Sequence, residues 1–371
     1  MKVLFLSTIE NIHTIRWVNA LVNKGLDVTL VGMKNNKNEK NKSLIDSKVK
    51  IVYLPIKGKL GYYLNHFFIN KIVEKERPDI INVHYASGYG TLGRFIKFEN
   101  KILNVWGSDV YDFPRQNKIK KQILIKNLNS YKAIASTSHC MAKEIERYLV
   151  KKQEIYITPF GVELEKFKNL SLEKKEDKVV IGIVKTLEPK YGIEYLIRAI
   201  RELEKILDKE TFERIEVRIY GKGYLKESLE NLTEKLNIKE KIKFEGFILN
   251  SEVPKVINEM DIFVVPSISE SFGVAAVEAM ACEIPVIVSD ADGLKEVVVD
   301  NETGFVVPKK DYKAIAEKIK ILIKDEKLRK RLGEEGRKRV MRLYSWNDNV
   351  ENMVTIYKKI WRKNEKSIIS S

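Results

Sequence analysis

The chain has 371 residues, 44% apolar and 32% charged, with a formal net charge of +16, enough for two ordinary domain cores and unlike a disordered or fibrous chain. Its two cysteines, Cys140 and Cys282, exclude a disulfide framework and a cysteine-built metal centre, and fit a reducing cytoplasm. No run approaches the roughly 20 apolar residues that span a bilayer, so any membrane contact is expected to be peripheral, on the inner face of the cell membrane.

In chain order, Val3–Leu6 reads as a first strand, its apolar run being too short for a signal-peptide core, and is followed by an amphipathic helix from Ile12 to Lys24 that Gly25 ends. Strand-like runs follow at Val28–Val31, Val49–Leu54, Ile80–Val83, Ile102–Val105 and Ala133–Ser136, with a helical pattern over Tyr63–Glu76 among them. Residues 168–178 are polar and lack an apolar face, as a connection between domains does. The rhythm then restarts, with strands at Val179–Val184, Val217–Tyr220, Lys241–Phe244, Ile262–Val265, Val286–Val288 and Gly304–Val307. Helices are expected at Ile193–Leu207, Tyr224–Leu236, Phe272–Ala281 and Tyr312–Ile323. Strand-then-helix alternation predicts an α/β protein of two doubly wound parallel sheets, with ligands at the carboxyl ends of the strands, in a cleft the two domains face.

The segment Pro266–Ser289 (PSISESFGVAAVEAMACEIPVIVS) holds two carboxylates eight positions apart. Glu270 lies in the loop after a strand, Phe272, Gly273 and Val274 open a helix, and Glu278 lies about two turns inside it. Helix-start amides and the helix dipole suit a diphosphate beside Glu270, while Glu270 can accept from sugar hydroxyls and Glu278 from a ribose. The same spacing also fits a first-turn dipole partner and a solvated helix residue.

This string resembles the signature of the retaining glycosyltransferases of family 4, also called group 1, in which two glutamates flank FG and precede EAM-AC-PV. The resemblance implies the GT-B architecture and transfer of a sugar from a UDP- or GDP-sugar to a hydroxyl of a sugar or lipid-linked acceptor. It implies no cofactor and no metal. Gly182–Gly192 (GIVKTLEPKYG) resembles the family's diphosphate segment, which puts Lys185 and Lys190 beside the leaving group; Lys185 stands where relatives have arginine, so a bidentate fork is lost and a cation kept. Tyr220–Tyr224 (YGKGY) resembles a glycine turn. Lys241–Ile248 resembles the strand whose loop, at Gly246, Phe247 and Ile248, meets the nucleobase. In the first half, STIENIHTIRW, VHYASGYG and VWGSD resemble acceptor-side loops, which makes His13, His84 and Asp109 candidates, whereas Trp106 replaces the family's usual histidine. Gly161, in TPFGVELEKF, matches the motif that ends the first domain. The final helix, led by YSW, is expected to cross back, giving domains 1–168 plus 345–371 for the acceptor and 178–344 for the donor.

Residues 1–170 carry 29 Lys+Arg against 15 Asp+Glu, whereas the remainder is nearly balanced. The basic half fits either an anionic surface or substrate, or a lysine-rich composition. Phe113–Leu128, with Arg115, Lys118, Lys120, Lys121 and Lys126 around an Ile/Leu face, and the aromatics of Tyr62–Ile72 resemble an interfacial arrangement, as well as an ordinary packed helix. No nucleic-acid module accompanies the charge. The four histidines, at 13, 66, 84 and 139, are scattered, and Asp290 with Asp292 falls where this family needs no ion, so no metal site is expected. A sugar-nucleotide epimerase or phosphorylase of similar shape, and a non-catalytic anionic-lipid-binding relative, are the competing readings; the set of Glu270, Glu278 and Lys190 disfavours the last.

Overall fold

The computed structural model describes residues 1–34, 41–173 and 177–369; residues 174–176 of the expected 168–178 connection lie outside the described residues. The chain divides into two compact units, Met1–Pro159 together with the chain from Asp348 onward, and Phe160–Asn347.

The first unit contains β1 (Lys2–Leu6), β2 (Asp27–Met33), β3 (Lys50–Leu54), β4 (Ile80–His84), β5 (Lys101–Val105), β6 (Ala133–Ser136) and β7 (Ile155–Ile157) in one parallel sheet of order β3-β2-β1-β4-β5-β6-β7. The second contains β8 (Val179–Val184), β9 (Ile215–Tyr220), β10 (Ile242–Gly246), β11 (Ile262–Val265), β12 (Val286–Ser289) and β13 (Phe305–Val307), also parallel, in the order β10-β9-β8-β11-β12-β13. Helices cover both faces, so the central strands are buried on each side and read as near-continuous apolar runs; β4, β5, β11 and β12 are buried at every residue. In each sheet the order reverses between the first and fourth strands, β1/β4 and β8/β11, which opens a crevice at their carboxyl ends.

Local sequence explains the helices. Ile193–Ile206 buries Ile193, Leu196, Ile197, Ile200 and Leu203, one stripe at helical spacing, against its sheet. The Asn11 side chain caps Ile12–Asn23 by accepting from the His13 amide at 2.9 Å. The helical pattern expected over Tyr63–Glu76 is two helices, Gly58–Leu64 and His66–Glu76, that meet at Asn65. That side chain is buried because it accepts from the Ile56 amide and donates to the Ile56 carbonyl, and this fixes the break. Phe113–Leu128 is a short 3-10 turn, Phe113–Arg115, then a helix, Lys118–Leu128, capped by Asn117.

The final helix, Trp346–Ile369, belongs from Asp348 onward to the first unit. It buries Met353, Ile356, Tyr357 and Ile360 there. The Tyr357 hydroxyl accepts from Asn82 on β4, and Asn82 in turn accepts from Asn104 on β5. This fully buried polar chain is satisfied only when the helix is in place.

Candidate functional site

The densest arrangement of chemistry is in the second unit, at the carboxyl ends of β8, β9, β10 and β11. The segment after β8 carries Lys185, whose ammonium is 2.7 Å from a Glu270 carboxylate oxygen in the segment after β11. Both side chains are about seven-eighths covered, at 14% and 13% exposure, so each is the other's charge partner in a region of weak screening. The Tyr191 ring lies under two ammonium groups, Lys185 at 4.5 Å and Lys190 at 5.1 Å from its centroid. Lys190 is the more open of the two cations, 40% exposed and 3.7 Å from Glu188. Its carbonyl accepts from the Ile268 and Ser269 amides, which stitches the β8 segment to the β11 segment.

Backbone packing holds these loops together. The Gly221 amide donates to the Gly246 carbonyl at 2.6 Å, and a Cβ at Gly221 would overlap the Lys185 carbonyl. The Gly293 amide donates to the Glu270 carbonyl at 3.0 Å; a Cβ there would run into the backbone of Glu270–Phe272, 2.7 Å from the Glu270 oxygen. Glycine at 221 and 293 is what lets the loops after β8, β9, β10, β11 and β12 approach one another.

The helix after Glu270 is Val274–Ala281, with Gly273 as its left-handed cap. Phe272 is therefore a buried residue before the helix rather than its first turn; its ring packs edge-on to Tyr344 at 5.3 Å. First-turn amides have no acceptor within their own helix, which makes this end a natural anion seat. Glu278 is half-buried on the same helix, and burial, with the Glu278 carboxylate contributing, pushes the Cys282 thiol up to about 12. Gly246 (φ 80°) ends β10, and Phe247 and Ile248 follow it. Phe247 is 61% exposed, with the Lys222 ammonium 5.0 Å over its ring.

In the first unit, the corresponding crevice is lined by rings. His84, at the end of β4, is fully buried, stacked on Phe5 at 4.2 Å, and accepts at Nδ1 from the Trp106 indole at 3.1 Å. An accepting Nδ1 puts the imidazole proton on Nε2, and Nε2 finds no partner among the described residues. Trp106 also meets His13 edge-on at 5.6 Å. Burial, then the Arg16 charge, lowers His13 to about 4; burial, then His13, holds His84 well below its ordinary value. Both are neutral at physiological pH. Asp109 is wholly buried, and its carboxylate accepts from the amides of Ala86, Trp106 and Gly107; burial raises its pKa, opposed by those bonds. It holds the β4 and β5 loops in register. Gly161 (φ 64°) falls at the start of the second unit, beside the Val162–Ser345 bridge.

The structure thus brings Lys185, Lys190, Glu270 and the start of the Glu278 helix together, and separately gathers His13, His84 and Asp109. Sequence reasoning missed Tyr191, although it sits inside the quoted PKYG, and Gly293, which carried no assigned chemistry. The Asp290 and Asp292 carboxylates are engaged elsewhere: Asp290 accepts from the Lys309 amide at 2.8 Å, and Asp292 faces Lys295 at 3.7 Å.

Comparison with known proteins gives a consistent picture. The model "Glycosyl transferase 4-like" matches residues 2–138, and "Glycosyl transferases group 1" matches residues 165–339. An uncharacterized glycosyltransferase of Methanocaldococcus jannaschii is 32% identical over 81% of each chain. A capsular polysaccharide biosynthesis glycosyltransferase of Staphylococcus aureus is 29% identical over 94% of each. Among solved structures, Anabaena HepE in complex with UDP superposes with a TM-score of 0.80 over 97% of this chain and 100% of that one; at 15% identity it speaks to the fold alone. With both halves matched by models of one kind and a relative this similar along most of its length, the chain belongs to the group 1 glycosyltransferases.

Proposed function

We propose that this glycosyltransferase moves a hexosyl unit from a nucleoside-diphosphate sugar, UDP- or GDP-linked, to a hydroxyl acceptor with retention of anomeric configuration and without a metal ion, in the cytoplasm, for cell-surface polysaccharide or glycolipid synthesis. The polysaccharide setting draws on the staphylococcal relative. The observation that carries the reading is the Lys185–Glu270 pair beside Lys190 and a helix start.

In this reading Lys190 and Lys185 neutralise the diphosphate, with the amides at Phe272, Gly273 and Val274 completing its seat. Glu270 orients the sugar hydroxyls, Glu278 the ribose, and the Gly246–Ile248 loop the base. The bond between the anomeric carbon and the β-phosphate oxygen breaks as the acceptor oxygen bonds to the same carbon on the same face. The acceptor proton passes to the leaving phosphate, giving a glycoside and a nucleoside diphosphate. On the acceptor side, neutral His13 and His84 offer polar, uncharged surface to a sugar or lipid-linked hydroxyl.

The test is a panel of UDP-, GDP- and ADP-sugars, scored by thermal stabilisation and by release of the nucleoside diphosphate. Stabilisation by one donor, lost in Glu278→Ala, supports the reading. Folded protein that neither binds nor consumes any of them overturns it.

A further inference from the structure

The first unit carries an exposed apolar patch that its own core does not use. Leu60, Tyr63, Leu64, Phe67 and Phe68 all face solvent within nine residues of the helix pair Gly58–Leu64 and His66–Glu76, with Leu60 69% and Phe67 65% exposed. Phe95 extends the patch: the His66 ring bridges Phe67, at 3.8 Å, and Phe95, at 5.6 Å, and the Arg94 guanidinium lies 4.6 Å over Phe95. Exposed aromatic and aliphatic side chains gathered this closely mark a contact surface rather than scattered surface residues.

Basic residues predominate around the patch, although Glu74 and Glu76 lie at the far end of the same helix pair. No acidic residue occurs between Lys57 and Val73, while Lys57, Lys59 and Lys71 are exposed. The helix Gly88–Arg94 packs against Gly58–Leu64 and also against Lys118–Leu128, so the apolar patch and that basic helix belong to one row of helices on the sheet. From Phe113 to Lys143 there are seven basic residues and no acidic one. Lys118, Lys121 and Lys126 are exposed, as is Ile119 at 73%, while Arg115 pairs with Glu144 at 3.3 Å.

We propose that this row of helices is a docking surface for an anionic phospholipid bilayer, with Leu60, Phe67 and Phe68 entering the acyl boundary and the flanking lysines meeting headgroup phosphates. Protruding apolar side chains ringed by cations match an interface that is acidic outside and apolar within. A second copy of the chain fits less well, because a two-fold contact here would set one basic strip against another. The proposal does not rest on the donor chemistry.

The full chain is tested by co-sedimentation with vesicles of phosphatidylcholine alone and of phosphatidylcholine mixed with phosphatidylglycerol. Binding is expected only to the mixed vesicles, weakening as salt is raised. Each of Lys118→Glu and Lys121→Glu should weaken it by about fivefold or more. The pair Phe67→Ser with Phe68→Ser should weaken it by about tenfold or more, with the thermal transition retained as the check on folding. Failure of folded protein to bind the mixed vesicles overturns the proposal. So does binding unchanged in the Phe67/Phe68 variant, which marks attraction by charge alone, or a lipid-free dimer that the same variant dissociates. Because no nucleotide-sugar is present, these results are independent of whether a donor is consumed.

Discussion

The two units share a strand order and a crevice position but furnish the crevice differently. At β8/β11 the loops deliver full charges, Lys185, Lys190 and Glu270, held by backbone contacts at Gly221 and Gly293. At β1, β4 and β5 they deliver rings, His13, His84 and Trp106, the two imidazoles kept neutral by burial. In the proposed reading, one scaffold thus seats an anion in one unit and an uncharged, hydroxyl-bearing molecule in the other. The backbone topology decides where a ligand goes, and a handful of loop residues decide what it is.

This contrast can be broken most severely at Glu270. Glu270→Gln keeps the shape but removes the charge opposite Lys185, and turnover is expected to fall on the order of a hundredfold to a thousandfold, measured as nucleoside diphosphate release, with the thermal transition kept. Glu278→Ala should instead raise the donor dissociation constant by roughly tenfold to a hundredfold, since charge-assisted hydrogen bonds of about 1.5–3 kcal/mol are lost. Replacing His13 by Gln should alter the acceptor KM and leave the donor constant unchanged. A shift in the donor constant would erase the division of labour between the two crevices.

Smaller changes test how each crevice is held. Gly293→Ala is expected to destabilise the second unit by about 1–3 kcal/mol, read by denaturant unfolding, because its new methyl meets the Glu270–Phe272 backbone. Tyr357→Phe should destabilise the first unit by a similar 1–3 kcal/mol by leaving the buried Asn82 amide without its acceptor. Protonation provides a further probe. His13 is lowered from 6.5 to about 4 in the folded chain, so between those values the unfolded chain binds more protons. Stability present above pH 6.5 should be lost as pH falls toward 4, and His13→Gln should flatten that slope.

Much of this was legible in the sequence for identifiable reasons. Parallel strands buried on both faces leave unbroken apolar runs, so β1, β4, β5, β8, β11 and β12 stand out. The short β7 does not, because three half-buried residues carry no periodic signal. Asn65 hides a helix break, since nothing local shows that its amide will bond Ile56 nine residues earlier. The helix Glu326–Leu343 is mostly charged and escapes any apolar pattern. At the site, the glutamates and lysines were visible as ordered motif residues. The roles of Tyr191 and Gly293 were not, since they depend on loops from different strands meeting, which only the fold brings about.

The buried chain from Asn104 through Asn82 to Tyr357 also bears on how the protein is made. Its acceptor lies 198 residues beyond Pro159, where the first stretch of the first unit ends. At a synthesis rate of about 5–20 residues per second, that interval is on the order of ten to forty seconds. During it, all of the second unit leaves the ribosome while two asparagines in the middle of the first sheet still lack their closing partner. The unit that begins first is completed last, and the nascent chain spends that interval with an open seam along β4 and β5.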